Sequence, residues 1–228
     1  MAVDDNNTIS LLHMDGADES TTFTDESGKS WAAFNQARLD TAEKKFGTTS
    51  LLCDGSADLI YRDQTPGDAD FAFGAGDFTI DLQIRLSALG VAQVVWDFRP
   101  STVDGAYPML YVGAGNGLNY FVNTAGQIVG ATALETGRWY HVELARGGGQ
   151  TKLFLDGVQE GSTYADAVSY LNGAYRPTIG GSGNTPADNA FFGWIDEVRF
   201  SKVARHTANF SPPTAPYGLV RPNAIWFM

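Results

Sequence analysis

The chain has 228 residues and carries 15 Lys and Arg against 26 Asp and Glu, a formal net charge of −11. That length suits one domain burying roughly 70% of its unfolded surface, enough for a core without disulfides or metal staples. The acidic balance argues against a binder of nucleic-acid backbones, which needs a cationic footprint, and against anchoring on an anionic membrane. No apolar run approaches the ~18 residues that membrane insertion needs.

Charged residues are only 18% while aromatics reach 12%, with 26 glycines, a profile of many strands joined by tight turns. The opening MAVDDNNTIS has no basic stretch followed by an apolar one, so synthesis without a signal peptide is expected. Thr8–His13 and Ser50–Cys53 are short apolar runs closed by Asp15-Gly16 and Asp54-Gly55. Cys53 is the single cysteine and reads as a small buried hydrophobe. Between these two runs, Asn35–Lys45 has room for a helical turn or two.

Asp77–Leu86 alternates with period 2, placing Phe78, Ile80, Leu82, Ile84 and Leu86 on one face toward a core and Thr79, Asp81, Gln83 and Arg85 on the other. Ala92–Phe98, Met109–Val112, Leu118–Val122 and Gln127–Gly130 follow as shorter strands. In Arg138–Ala145, His141 and Glu143 share one side, while Tyr140, Val142 and Leu144 share the other. Thr151–Leu155 and Val158–Glu160 flank Asp156-Gly157, a pair suited to a primed hairpin turn. Phe191–Phe200 is the last strong strand, and Ser201–His206 reads as one short turn. The three prolines of Ser211–Tyr217 then exclude both helix and inner strand. The whole is all-β, an antiparallel two-sheet sandwich.

Four ordered stretches resemble the concanavalin A-like lectin/glucanase superfamily, in particular the laminin-G/pentraxin-like jelly rolls of phage and bacterial proteins. They are Leu11–Asp18 with Phe23–Lys29, then Lys45–Asp58, then Asp77–Arg85 with Arg138–Val142 and Leu153–Gly157, and finally Gly193–Ser201 with Phe210–Pro213. The resemblance implies a jelly-roll domain over residues 8–217, between a short extension at 1–7 and an apolar tail at 218–228. It also implies a structural Ca²⁺ between the first and last strands, with Asp196 and Asp15 as ligands and Gly47 as a carbonyl donor. Without the metal, Asp15 would cap its turn and Asp196 would be a solvated strand acid.

Glucanases of this superfamily carry two acids on alternate positions of one strand, as retaining hydrolysis requires. Here Thr79 stands between Asp77 and Asp81, and Asp196 and Glu197 are adjacent and so face opposite ways. No enzymatic activity is expected. His141 reads as a hydrogen-bonded sheet histidine, and Trp139, Tyr140 and Trp194 read first as core. The aromatic residues expected to be exposed for glycan contact are Trp96, Tyr107, Tyr111, Tyr120 and Tyr170, since sugar C–H faces stack on rings.

The leading expectation is a non-enzymatic bacteriophage virion protein: a head decoration, fibre-like or tail-associated module. It would be made in the host cytoplasm and would contact other capsid or tail proteins or its own copies. Host-surface polysaccharide is a second partner, and a bacterial lectin or carbohydrate-binding module is the alternative. Ile225, Trp226 and Phe227 of the tail are the expected partner-docking residues, because an apolar chain end gains by burial.

Overall fold

The computed structural model describes residues 6–185 and 188–218. Ile225, Trp226 and Phe227 lie outside the described residues. Fifteen strands run in chain order: β1 Thr8–Leu12, β2 Trp31–Phe34, β3 Arg38–Asp40, β4 Ser50–Asp54, β5 Leu59–Arg62, β6 Phe78–Leu86, β7 Gln93–Asp97, β8 Met109–Val112, β9 Leu118–Val122, β10 Ala125–Val129, β11 Trp139–Gly147, β12 Gln150–Leu155, β13 Val158–Ala165, β14 Thr178–Ile179 and β15 Phe192–Ser201. They form two antiparallel sheets, as the all-β reading requires. The first has the order β13-β12-β11-β6-β15-β4-β3, and the second β10-β9-β8-β7-β14-β5-β2.

The central strands follow the sequence periodicity. Phe78, Ile80, Leu82, Ile84 and Leu86 are all fully buried on the inner face of β6, and Tyr140, Val142 and Leu144 face the same way from β11. Rings from both sheets meet between the layers, where Phe200 of β15 packs on Trp31 of β2 and on Phe71 and Phe98. Asp156 (φ 48°) and Gly157 (φ 78°) both adopt the left-handed conformation at the β12–β13 hairpin, as a primed turn demands.

Strand β15 changes neighbours along its length. Its first half pairs with β4, from Phe192 to Ile195, and its second half with β1, from Val198 to Ser201. The switch occurs at an irregularity between Asp196 and Arg199, where Glu197 has φ 50°. A bulge of this kind re-aims side chains, and here it turns Asp196 toward the 45–49 loop.

Two expectations fail locally. Asn35–Lys45 holds no helix but β3, because Leu39 pairs with Leu51 of β4 and fills the core. Ser201–His206 also holds no helical turn. It begins a strap, residues 203–217, that crosses the outer face of the first sheet and shields Asp81, His141 and Glu143 from solvent.

Candidate functional site

The aromatic residues expected at the surface divide. Trp96 and Tyr120 are fully buried and Tyr170 nearly so. They are corrected from sugar-contact candidates to core residues. A bulge between Val94 and Trp96 brings Trp96 opposite Leu110, so both Val95 and Trp96 turn inward. The Tyr120 hydroxyl bonds that of Tyr170, which donates to Asp166 at 2.5 Å, so both phenols are satisfied inside. Tyr107 and Tyr111 are half-buried, and Tyr107 packs against the core. Trp139 and Trp194, read as core, stand half-buried, and Arg85 lies over the Trp194 ring at 5.7 Å.

A pocket of about 300 Å³ opens on the second sheet instead, lined by Phe34, Leu59, Tyr61, Tyr175, Arg176 and Thr178 together with Gly183. Period 2 builds its floor. Trp31 of β2 and Ile60 of β5 point into the core, so Phe34 and Tyr61 must point out. Phe34 is 45% exposed and Tyr175 43%. Tyr61 and Tyr175 meet edge to face, centroids 6.1 Å apart.

Arg176 closes the pocket as a donor-rich wall. Its guanidinium donates to the carbonyls of Arg99 (2.7 Å), Tyr175 (2.9 Å) and Gly183. Burial pulls its pKa below the usual arginine range, while the nearby Asp97 charge opposes that shift. A guanidinium has five N–H donors, so two remain for a ligand. Sequence reading missed Phe34, Tyr61, Tyr175 and Arg176. The signal for the first two was alternation within W-A-A-F and L-I-Y-R, whereas nothing local marks the other two.

Asp15, Gly47 and Asp196 do come together, on the loop before β4. The Asp196 carboxylate accepts from the N–H groups of Lys45 (2.8 Å) and Phe46 (3.1 Å), and that of Asp15 accepts from Thr48 (2.5 Å) and Thr49 (3.4 Å). Asp15 therefore clamps a distant loop and does not cap its own turn. Asp196 is fully buried, not a solvated acid, and burial pushes its carboxyl up to about 7.

This donor set fits a hard cation in two respects. Among the described residues the Asp196 carboxylate bonds only backbone N–H groups and no cationic side chain, and the Glu197 charge pushes its carboxyl up further. Asp15 is exposed, and among the described residues no hydrogen bond reaches its Oδ2. Carboxylate and carbonyl oxygens are the ligands such an ion takes. Gly47, with φ 61°, lies so close that a Cβ would stand 2.1 Å from Asp15 Oδ1. Gly47→Ala is expected to cost about 1–3 kcal/mol, from left-handed backbone strain and a displaced clamp. Urea denaturation checks it; a change below about 0.5 kcal/mol would contradict the clamp.

The search for two acids on one strand misses a pair across strands. Asp81 of β6 lies opposite Glu143 of β11, both fully buried on the outer face. Arg199 binds both oxygens of Asp81 (3.0 and 2.6 Å) and holds its carboxyl well below the usual range against the opposing effect of burial. Glu143 meets His206 Nδ1 at 2.8 Å, and burial raises its pKa. His141 is a buried sheet histidine as expected, its Nε2 3.0 Å from the Tyr217 hydroxyl.

A family model described as the concanavalin A-like lectin/glucanases superfamily, of laminin-G type, matches residues 63–209. The chain belongs to that superfamily. No curated protein matches the sequence significantly. Among solved structures, it is similar to domain 4 of AbnA, a GH43 extracellular arabinanase from Geobacillus stearothermophilus solved with arabinotriose. The TM-score is 0.65 at 14% identity, over 87% of this chain and 93% of that one. It is also similar to the receptor binding domain of botulinum neurotoxin D (TM-score 0.62, 14% identity, 88% of this chain and 50% of that one). A third likeness is to a structure reported with the cell entry of botulinum neurotoxin type C, described as dependent on interaction with two ganglioside molecules. There the TM-score is 0.60 at 13% identity, over 88% of this chain and 49% of that one. The chain thus spans about half the length of the neurotoxin chains. Identities this low show a shared fold. Among the described residues no helix is long and apolar enough to cross a membrane.

Proposed function

We propose that the chain is a non-enzymatic carbohydrate-binding module that takes a sugar residue in the pocket of Phe34, Tyr61, Tyr175 and Arg176. One observation carries this reading. Among the described residues, three large exposed hydrophobic side chains are aromatic, and two of them, Phe34 and Tyr175, border one pocket of about 300 Å³. Rings accept pyranose C–H faces, and the spare guanidinium N–H groups of Arg176 suit sugar hydroxyls. The arabinotriose named for AbnA domain 4 and the ganglioside molecules named for the type C neurotoxin support a glycan as the ligand class.

The non-enzymatic reading is supported by the state of the opposed carboxylates. Asp81 and Glu143 are engaged by Arg199 and His206 beneath the strap, out of reach of a glycosidic oxygen. A glycan array tests the module. Wild-type protein binds at least one saccharide, and Phe34→Ala with Tyr175→Ala lowers that affinity at least ten-fold, as loss of two stacking rings requires. No glycan signal, or an unchanged double variant, would overturn the proposal.

We propose further that Asp15 and Asp196, with carbonyl oxygen from the Gly47 loop, hold a structural calcium ion that supplies the positive charge the buried carboxyl lacks. Ca²⁺ at about 100 times its Kd raises stability by about 2.7 kcal/mol, and chelation removes that gain. Identical melting curves in calcium and in EDTA would count against it. The virion setting is likewise a proposal, resting on the likeness of Lys45–Leu51 and Phe210–Tyr217 to phage jelly rolls. There the apolar tail would dock on own copies or on other virion proteins, and deleting residues 218–228 should lower incorporation into particles. Unchanged incorporation would remove the tail from that role.

A further inference from the structure

The strap is fixed to the first sheet at several points. Thr79 Oγ1 of β6 donates to the Val203 carbonyl (2.7 Å), and Lys152 Nζ of β12 donates to the Thr207 carbonyl (2.6 Å). The Phe210 N–H donates to the Gly157 carbonyl (2.9 Å), and the Tyr217 N–H to Glu197 Oε2 (2.8 Å). Gly157 permits this approach, since a Cβ there would lie 2.0 Å from the Phe210 carbonyl oxygen. Pro212, Pro213 and Pro216 line, with Arg199 and His206, a cavity of about 410 Å³.

The two buried carboxylates beneath the strap differ in where their counter-charge comes from. Asp81 is neutralised by Arg199, from the neighbouring strand of the same sheet. Glu143 is met by His206, and His206 rides on the strap, where its ring stacks on Phe210 at 3.6 Å. The His206 side chain is 35% exposed, while that of Glu143 is fully buried. When the strap lifts, Asp81 keeps its partner and Glu143 loses its own.

We propose that residues 203–217 form a proton-dependent latch over the outer face of the first sheet, closed by a proton shared between His206 and Glu143 and opened when that proton is lost. With the proton, the pair is neutral overall, as imidazolium with carboxylate or imidazole with carboxylic acid. Without it, a carboxylate sits buried with Asp81 across the strand as a like charge, which is costly unless it opens to water. The other groups around the pair are Arg199 and Glu197 on β15, His141 on β11, Lys152 on β12, and Arg205 and Tyr217 on the strap. Burial and Asp81 push the Glu143 carboxyl up, while His206 and His141 oppose them.

The direction with pH follows. In water an imidazole and a carboxylate hold no proton between them above neutral pH, and that is the state of the opened pair. Closing above that pH takes up one proton, so closure is complete at mildly acidic pH and weakens as pH rises. Above about pH 7 the opening constant grows about ten-fold per unit until the closed pair itself deprotonates. Opening would expose a polar floor of Asp81, Gln83, His141 and Glu143.

Hydrogen exchange between pH 6 and pH 9, corrected for the intrinsic rate, reads the latch. The Phe210 amide reports the strap and the Leu144 amide of β11 the sheet. In the wild type, Phe210 protection falls by up to ten-fold per pH unit above about 7 while Leu144 stays level. Glu143→Gln, with no charge to lose, keeps Phe210 protection flat. His206→Gln leaves burial and Asp81 to hold a proton on Glu143 alone, so it lowers Phe210 protection across the range, which serves if the Glu143 variant does not fold. A wild-type Phe210 amide that tracks Leu144, a slope that persists in Glu143→Gln, or undiminished Phe210 protection in His206→Gln would overturn the latch.

Discussion

Phe200→Ala is expected to cost about 3–5 kcal/mol, the loss that attends truncating a fully buried aromatic side chain. Phe200 stands where the two sheets meet. Its ring stacks on Trp31 at 6.0 Å and 22°, and lies 5.2 Å from Phe71 and 6.2 Å from Phe98. Trp31 belongs to β2, and Phe98 immediately follows β7, so the cavity would open between layers whose rigid ladders cannot collapse into it. Phe200→Leu should cost less, about 1–2 kcal/mol, because part of the volume remains. Urea or guanidinium denaturation measures both. A loss below about 1 kcal/mol for Phe200→Ala would mean that the inter-sheet core is not organised on this ring.

The second large effect is on pH. The Asp196 carboxyl is pushed up to about 7 in the folded protein by burial, with Glu197 adding to it and three backbone N–H groups opposing. A carboxyl raised in the fold binds its proton more tightly folded than unfolded. Its contribution is therefore complete below the unfolded value near 4 and disappears as pH rises through about 7. In calcium-free buffer, stability should fall between about pH 4 and pH 8 by an amount on the order of 4 kcal/mol. The Glu197 hydrogen bond raises His13, and burial raises Glu143, so both add slope of the same sign. Asp196→Asn should be less stable in acid, yet lose most of the slope. Saturating Ca²⁺ should also flatten the wild-type curve, because a bound cation favours the ionised carboxylate. Chemical denaturation at intervals of one pH unit reads all three. A wild type that gains stability from pH 5 to pH 8 without calcium would contradict this account of Asp196.

The sequence was most legible where a strand has a long period and one clean face. Ten residues of alternation placed all five inner residues of β6, and Tyr140, Val142 and Leu144 of β11 with them. Short strands carried too little pattern. β14 has two residues, and β3 has three with a single inward leucine, so each is set by pairing to distant strands. Register hid the rest. The opposition of Asp81 to Glu143 depends on how β6 and β11 align, which no spacing within either strand encodes.

Exposure was the harder property. Trp96 is turned inward by a bulge that alternation does not announce, and Tyr120 and Tyr170 satisfy each other's hydroxyls inside. The proline-rich segment could be read only as neither helix nor inner strand. That it covers the polar face of β6 and β11 is a tertiary fact. The calcium-type residues were legible as a set because the family resemblance ordered them. Their bonds to the amides of the 45–49 loop were not.

The central claim, a sugar site among Phe34, Tyr61, Tyr175 and Arg176, is tested most directly by mapping a bound saccharide. Titrating the best glycan-array ligand into ¹⁵N-labelled protein and following amide shifts gives the map. The account predicts that the saturable shifts centre on Phe34, Tyr61, Tyr175, Arg176, Thr178 and Gly183. Saturable shifts confined to the outer face of the first sheet, around His206 and Tyr217, would contradict it.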